Sequence, residues 1–302
     1  MIDALEPWGF TTLKRHNDKN IPGSSARAVS RSVIEDTENR LWLVERIAGT
    51  QVEGRTVIAQ NLQALQNSGM NFLLPYQKTT DGEFTTEMMG FPWQLSAFYE
   101  SDELPRPDYI YDEQRGKSMA EFVASLRKYT KGKKMADSGC TFSMLEYSKK
   151  LAETISQRQP DVYKRLEPFC DRLFPAMETF PSLPTAFCHG DFHPLNILWK
   201  AQKIGAIIDW EFSGMRPEIY DVANMIGCVA FENPAALGEG VIPAFINGLY
   251  DQTDIADESY EALPSFIPAL RFAWLSEWLR KNDNEMIEME LDYMELLLSV
   301  MG

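Results

Sequence analysis

The spacing of apolar positions changes character about a third of the way along the chain. Residues 27–36 (RAVSRSVIED) and 40–48 (RLWLVERIA) alternate and are rich in β-branched side chains, so they read as two strands joined by the turn TEN. An earlier strand is expected near FTTLKRH, residues 10–16. GRTVIAQNLQALQNSG then places Val57, Ile58, Leu62 and Leu65 at helical spacing and stops at Gly69. LLPYQKTTDGEFTTEMMG predicts a hairpin turning at TTDG, and PWQLSAFYE predicts a further strand. The pattern implies about five antiparallel strands and one helix over residues 1–98.

From there the period is helical. Helices are expected at 117–130, 142–158, 161–178, 219–231, 239–250, 259–280 and 283–300. The exception is 185–210, where short apolar runs broken by polar loops suggest a loop and a small hairpin. The fold class is therefore α+β: a small antiparallel-sheet lobe, then a larger, mainly helical lobe over 99–302. A crevice between two such lobes is a favoured ligand site.

Composition narrows the partners. Of the 302 residues 44% are hydrophobic and 24% charged, enough apolar material for a packed interior. The formal net charge is −15, and from residue 201 onward there are 18 acidic and 5 basic side chains. A surface that binds nucleic acid needs the opposite sign, so nucleic acid is not expected as a partner. An acidic lobe suits a cationic small molecule, or simply keeps the chain soluble. No run of about 18 apolar residues exists, so no membrane span is expected, and the N-terminus lacks the basic head and apolar run of a signal peptide. The widely spaced Cys140, Cys170, Cys188 and Cys228 fit reduced thiols in a cytoplasmic protein.

Ligand-type side chains gather in FCHGDFHPLNILWK, residues 187–200. Two of the three histidines, His189 and His193, lie here with Asp191 and Asn196, and Asp209 follows in AIIDWE. A carboxylate on a tight loop, Asp191, can accept a proton from a hydroxyl. Asn196 and Asp209 offer hard oxygens suited to Mg²⁺. A base and two magnesium ligands joined by a hairpin are what phosphoryl transfer requires. Two histidines around an aspartate also leave a zinc hydrolase open, although only His16 remains as a further histidine ligand.

HGDFHPLNIL followed by IIDWE resembles the catalytic signature of the aminoglycoside phosphotransferase and choline kinase superfamily, small-molecule relatives of protein kinases. The resemblance implies a protein-kinase-like fold, ATP and Mg²⁺ as cofactors, and a small-molecule acceptor such as an amino alcohol, aminoglycoside or sugar. It implies Asp191 as base, Asn196 and Asp209 as metal ligands, His189 as a brace of the loop, and His193 as a contact to the phosphoryl group. Asp221 falls where the family carries a downstream aspartate, which implies a structural acceptor for catalytic-loop amides. For the nucleotide it implies a glycine-containing loop, matched by Gly23, Ser24 and Ser25 in PGSSAR, and main-chain adenine contacts at Ser96, Ala97 and Phe98. Choline kinases carry an arginine in a run similar to ERIAG, which nominates Arg46 for the phosphates, but strand alternation lets only one of Glu45 and Arg46 face the crevice. Glu53 is the only acidic residue near the following helix that can partner such a cation. Glu211, two after Asp209, is expected to face the acceptor. Without a strand lysine or a helix glutamate, an inert nucleotide-binding scaffold is the alternative to an enzyme.

Overall fold

A computed structural model describes residues 4–21, 23, 27–136 and 143–300. The first part is a five-stranded antiparallel sheet. Its strands are β1 (Thr12–His16), β2 (Ser30–Asp36), β3 (Leu41–Arg46), β4 (Thr86–Met88) and β5 (Phe91–Ala97), ordered β1-β2-β3-β5-β4. Helix α1 (Val52–Asn67) connects β3 to the later strands. Alternation puts Leu5, Trp8, Ile34, Trp42, Val44 and Leu95 in a small core of their own. Ile58, Leu62 and Leu65 of α1 instead join the large core of the helical part, which ties α1 to the helices beneath the sheet.

One pairing differs from the expected hairpin. Thr79 and Gly82 do form a turn, closed by the Thr79 N–H on the Glu83 carbonyl at 2.8 Å. The strands that pair, however, are β4 and β5, joined at Met89 (φ 55°) and Gly90 (φ 77°). Two consecutive positive φ angles make the tight turn whose twist matches an antiparallel pair.

The remaining helices are α2 (Glu113–Thr130), α3 (Met144–Arg158), α4 (Pro160–Met177), α5 (Tyr220–Glu232), α6 (Val241–Gln252), α7 (Asp257–Glu261), α8 (Leu263–Lys281) and α9 (Asn284–Val300). Asp112 caps α2 by accepting from the Gln114 and Arg115 amides, and Ser143 caps α3 by accepting from Glu146. The single helix expected at 259–280 is two, because Pro264 in the first turn of α8 starts a new segment. Inside the helical part lie two ribbons. β7 (Ile197–Lys200) and β8 (Lys203–Ile207) form the expected small hairpin. β6 (Thr185–Cys188) pairs with β9 (Gly214–Pro217), a short strand the apolar pattern did not reveal. Among the described residues no helix is long and apolar enough to cross a membrane.

Helix α6 packs tightly on α2 at Gly116, where an added Cβ would lie 2.3 Å from the Val241 carbonyl oxygen. Backbone cannot yield there, so overpacking outweighs the helix-propensity gain of alanine. Gly116→Ala is expected to destabilise the protein by about 1–2 kcal/mol in urea unfolding. Gly54→Ala, on α1 with nothing within 4 Å, should instead stabilise it by about 0.5 kcal/mol.

Candidate active site

The segment after β6 turns sharply at Gly190 (φ 83°), where any Cβ would meet the Phe212 carbonyl oxygen at 2.0 Å. Buried Asp221, at the start of α5, holds this turn. One of its oxygens accepts from the His189 N–H at 2.7 Å and the other from the Gly190 N–H at 2.8 Å. Burial pushes the Asp221 carboxyl up to about 6, with the two amide bonds opposing the rise.

The fully buried His189 ring joins this loop to the next one. Its Nε2–H donates to the Ile208 carbonyl at 2.9 Å, and its Nδ1 accepts from the Asp191 N–H at 3.2 Å. Both nitrogens are therefore occupied in a neutral ring, and burial lowers its pKa to about 3. A ring so held has no lone pair for zinc. Among the described residues no cluster of three or more His, Cys, Asp or Glu is placed to hold a metal.

The β7–β8 hairpin carries out the convergence. The Ile208 N–H donates to the Asn196 carbonyl at 3.0 Å, so the chain leaving β8 runs back beside the loop. Asp209 follows in the left-handed region (φ 63°, ψ 56°), a conformation costing about 1 kcal/mol or more for a non-glycine residue, here held by its neighbours. Asn196 donates through Nδ2 to the Asp191 carbonyl at 2.9 Å and to Asp191 Oδ2 at 3.2 Å, which fixes the amide and orients its oxygen the other way. The guanidinium of Arg27 reaches Asp191 Oδ2 at 3.2 Å and Asp209 Oδ2 at 3.8 Å. Asp191, Asn196 and Asp209 are thus within the span of one side chain. An amide oxygen and a carboxylate are hard donors, and this pair fits Mg²⁺ better than a transition metal.

Glu211 joins the same cluster, 3.9 Å from the Arg27 Nε, but its stronger partner is Arg55 of α1 at 2.8 Å. Burial raises the Glu211 pKa while Arg55 pulls it down. Arg55 also donates to the Tyr76 hydroxyl at 2.7 Å and to the Arg27 carbonyl. Glu211 is thereby tied to α1, and the expected acceptor contact competes with this ion pair. His193 is buried, with Nδ1 accepting from the Leu195 N–H and Nε2 3.7 Å from Asp191 Oδ1. Burial lowers its pKa, with Asp191 and Asp209 opposing. Its ring meets the edge of Trp274 on α8 at 5.9 Å.

On the nucleotide side Arg46 needs correction. Alternation along β3 turns Glu45 inward, 4% exposed, where it accepts from Arg31 of β2 at 2.9 Å. Arg46 points to the other face, its guanidinium 4.6 Å over the Phe91 ring. Glu53 is exposed in the first turn of α1. Ser96, Ala97 and Phe98 line the crevice with Asp209 and Glu211, and the Phe98 N–H donates to the Leu41 carbonyl. Gly23 packs against Ile208 and Asp209; Ser24 and Ser25 lie outside the described residues. Glu218 and Glu277 serve elsewhere: Glu218 pairs with Arg127 and accepts from Ala256 and Ser259, and Glu277 pairs with Arg280 and Lys281.

Three arginines of the crevice, Arg27, Arg31 and Arg55, were not singled out from the sequence. One signal existed for Arg55: a cation in the first turn of a helix opposes the macrodipole, so something else must hold it there.

A family model described as the phosphotransferase enzyme family matches residues 36–263. A homoserine kinase of Rhizobium etli is 25% identical over 244 residues, covering 78% of this chain and 74% of that protein. The fold resembles an amicoumacin kinase solved in complex with AMP-PNP, Ca²⁺ and Ami, with TM-score 0.69, 11% identity, and 95% and 90% of the two chains covered. It also resembles a choline kinase of Streptococcus pneumoniae, with TM-score 0.64, 15% identity, and 96% and 94% covered. The chain belongs to the phosphotransferase enzyme family and has its protein-kinase-like fold. Within that family it is a small-molecule kinase.

The neutral His189 ring has a pH consequence. An unfolded histidine titrates near 6.5 and the buried one near 3, so the unfolded state binds the extra proton between these values. His189 therefore lowers stability as pH falls below 6.5, by up to about 1.4 kcal/mol per pH unit. Asp221 acts in the opposite sense between about 6 and 3.8, because there the folded carboxyl binds more protons. Side-chain ¹⁵N NMR isolates the ring: His189 is expected to keep its Nε2–H tautomer from pH 8 to pH 5, and protonation near 6.5 would contradict the buried clamp.

Proposed function

We propose that this protein is an ATP- and magnesium-dependent kinase of a small hydroxyl-bearing molecule. The observation that carries the reading is the reach of one guanidinium across Asp191 and Asp209, with Asn196 bonded to Asp191. ATP would enter between the sheet and the helical part, the division falling after residue 98, with adenine against the main chain of Ser96, Ala97 and Phe98. Asn196 and Asp209 would hold the divalent cation, which when bound neutralises polyphosphate charge. Asp191 would take the proton of the acceptor hydroxyl as its oxygen bonds to the γ-phosphorus and the bond to the β–γ bridging oxygen breaks. His189 keeps Asp191 in place, and neutral His193 flanks the phosphoryl group. A cytoplasmic location suits a protein that uses ATP.

For the acceptor, the homoserine kinase relative favours an amino acid or amino alcohol. The aromatic edge of Trp274 beside His193 gives such a molecule an apolar wall, and the acidic C-terminal part attracts its ammonium group. A second reading, a nucleotide-binding scaffold with a regulatory role, draws on one observation: β3 presents Glu45, an anion, where a cation was expected.

ADP release should be measured against homoserine, choline, ethanolamine, amino sugars and aminoglycosides, with ATP binding followed by calorimetry. Acceptor-stimulated ADP release supports the kinase, ATP binding without turnover on any acceptor supports the scaffold, and absence of both overturns the reading. With the true acceptor, Asp191→Asn should lower kcat by about 10²–10⁴-fold while ATP still binds. Asp209→Asn should lower kcat by about 100-fold or more and raise the magnesium concentration required. Wild-type rates in both variants would remove the assigned roles.

A further inference from the structure

We propose that Arg27 is a catalytic residue whose guanidinium contacts the phosphoryl group in transfer. The inference rests on the phosphotransfer reading above and adds a residue to it.

Position is the first argument. The acceptor hydroxyl has to approach Asp191, and the polyphosphate with its metal has to approach Asp209. The phosphorus in flight passes between the two. The Arg27 guanidinium borders this path, with Nη2 3.2 Å from Asp191 Oδ2 and Nε 3.8 Å from Asp209 Oδ2. The bond from the acceptor oxygen to the γ-phosphorus forms while the bond from that phosphorus to the bridging oxygen breaks. The released electron pair stays on ADP, and the hydroxyl proton goes to Asp191. Arg27 transfers nothing in this step; it faces the equatorial oxygens, over which the charge is spread. A planar guanidinium fork matches two such oxygens.

The donor inventory agrees. The buried Nε–H of Arg27 has no hydrogen-bond acceptor among the described residues, and Asp209 and Glu211 lie beyond bonding distance from it. Burying such a donor costs about 1–3 kcal/mol, and a phosphoryl oxygen would satisfy it. Strand β3 offers no rival cation, since Arg46 stacks on Phe91.

Arg27 is also held in advance. Its guanidinium lies 4.8 Å over the Phe212 ring, and its carbonyl accepts from Arg55, which is itself tied to Glu211 and Tyr76. Charge stabilisation of a transition state works best with a donor that does not reorganise during reaction.

The test compares wild type, Arg27→Met and Arg27→Lys by kcat, by calorimetric ADP affinity, and by the gain in ADP affinity when magnesium and aluminium fluoride mimic the phosphoryl group in flight. In Arg27→Met, kcat should fall about 100-fold or more with ADP affinity within about threefold of wild type, and the aluminium fluoride gain should be lost. Arg27→Lys, which keeps the charge without the fork, should recover part of kcat. The inference is overturned if Arg27→Met keeps kcat within about threefold or keeps the aluminium fluoride gain. It is also overturned if ADP affinity and kcat fall by the same factor, which would make Arg27 a nucleotide anchor. Wild-type protein that neither binds ATP nor releases ADP with any acceptor overturns the kinase reading as well, and so separates the two failures.

Discussion

A buried carboxylate that receives two consecutive backbone amides is the constraint on which the site depends. Asp221 fixes the turn at His189 and Gly190, and the His189 ring then grips the Ile208 carbonyl, one residue before Asp209. Two chain segments joined by the β7–β8 hairpin are locked at a common distance. Without Asp221 the turn would leave two buried N–H groups without acceptors, and without His189 the left-handed Asp209 would lose the neighbour that holds its preceding carbonyl. Fixed geometry of this kind would let Asp191 and Asp209, in the roles proposed for them, act on one substrate.

Electrostatics around that clamp are crowded. Asp191, Asp209, Glu211 and Glu45 converge with Arg27, Arg31 and Arg55 along the crevice. The ion pair between Arg55 of α1 and Glu211, two residues after Asp209, couples the sheet part to the turn that carries Asp209. In protein kinases a lysine on β3 meets a glutamate on the helix. Here the strand carries the acid and the helix carries the base. Glu45 of β3 is paired with Arg31 of β2, and Arg55 of α1 with Glu211, so each of the two is held by a different partner.

Several elements were legible from the chain alone. Period-2 and period-3.6 patterns located the strands β1, β2, β3 and β5, helix α1, and most of the later helices, because burial of one face imposes those periods. The strand β9 was hidden, since four residues including Gly214 and Pro217 carry no alternation to detect. At the site, residues separated by short spacings, His189, Asp191, Asn196 and Asp209, were visible as a set. Arg27 and Arg55 were not, because their acidic partners lie more than a hundred residues away in sequence.

By itself, the order of residues determined which side chains can do chemistry and which segments bury a face, since both depend on local identity and period. The tertiary structure decided which of two adjacent residues on β3 looks inward, which arginines share the crevice, and that Glu218 and Glu277 serve ion pairs elsewhere. Those outcomes depend on register and on contacts between distant segments, and a side chain's neighbours across a crevice leave no periodic trace in the sequence that encodes them.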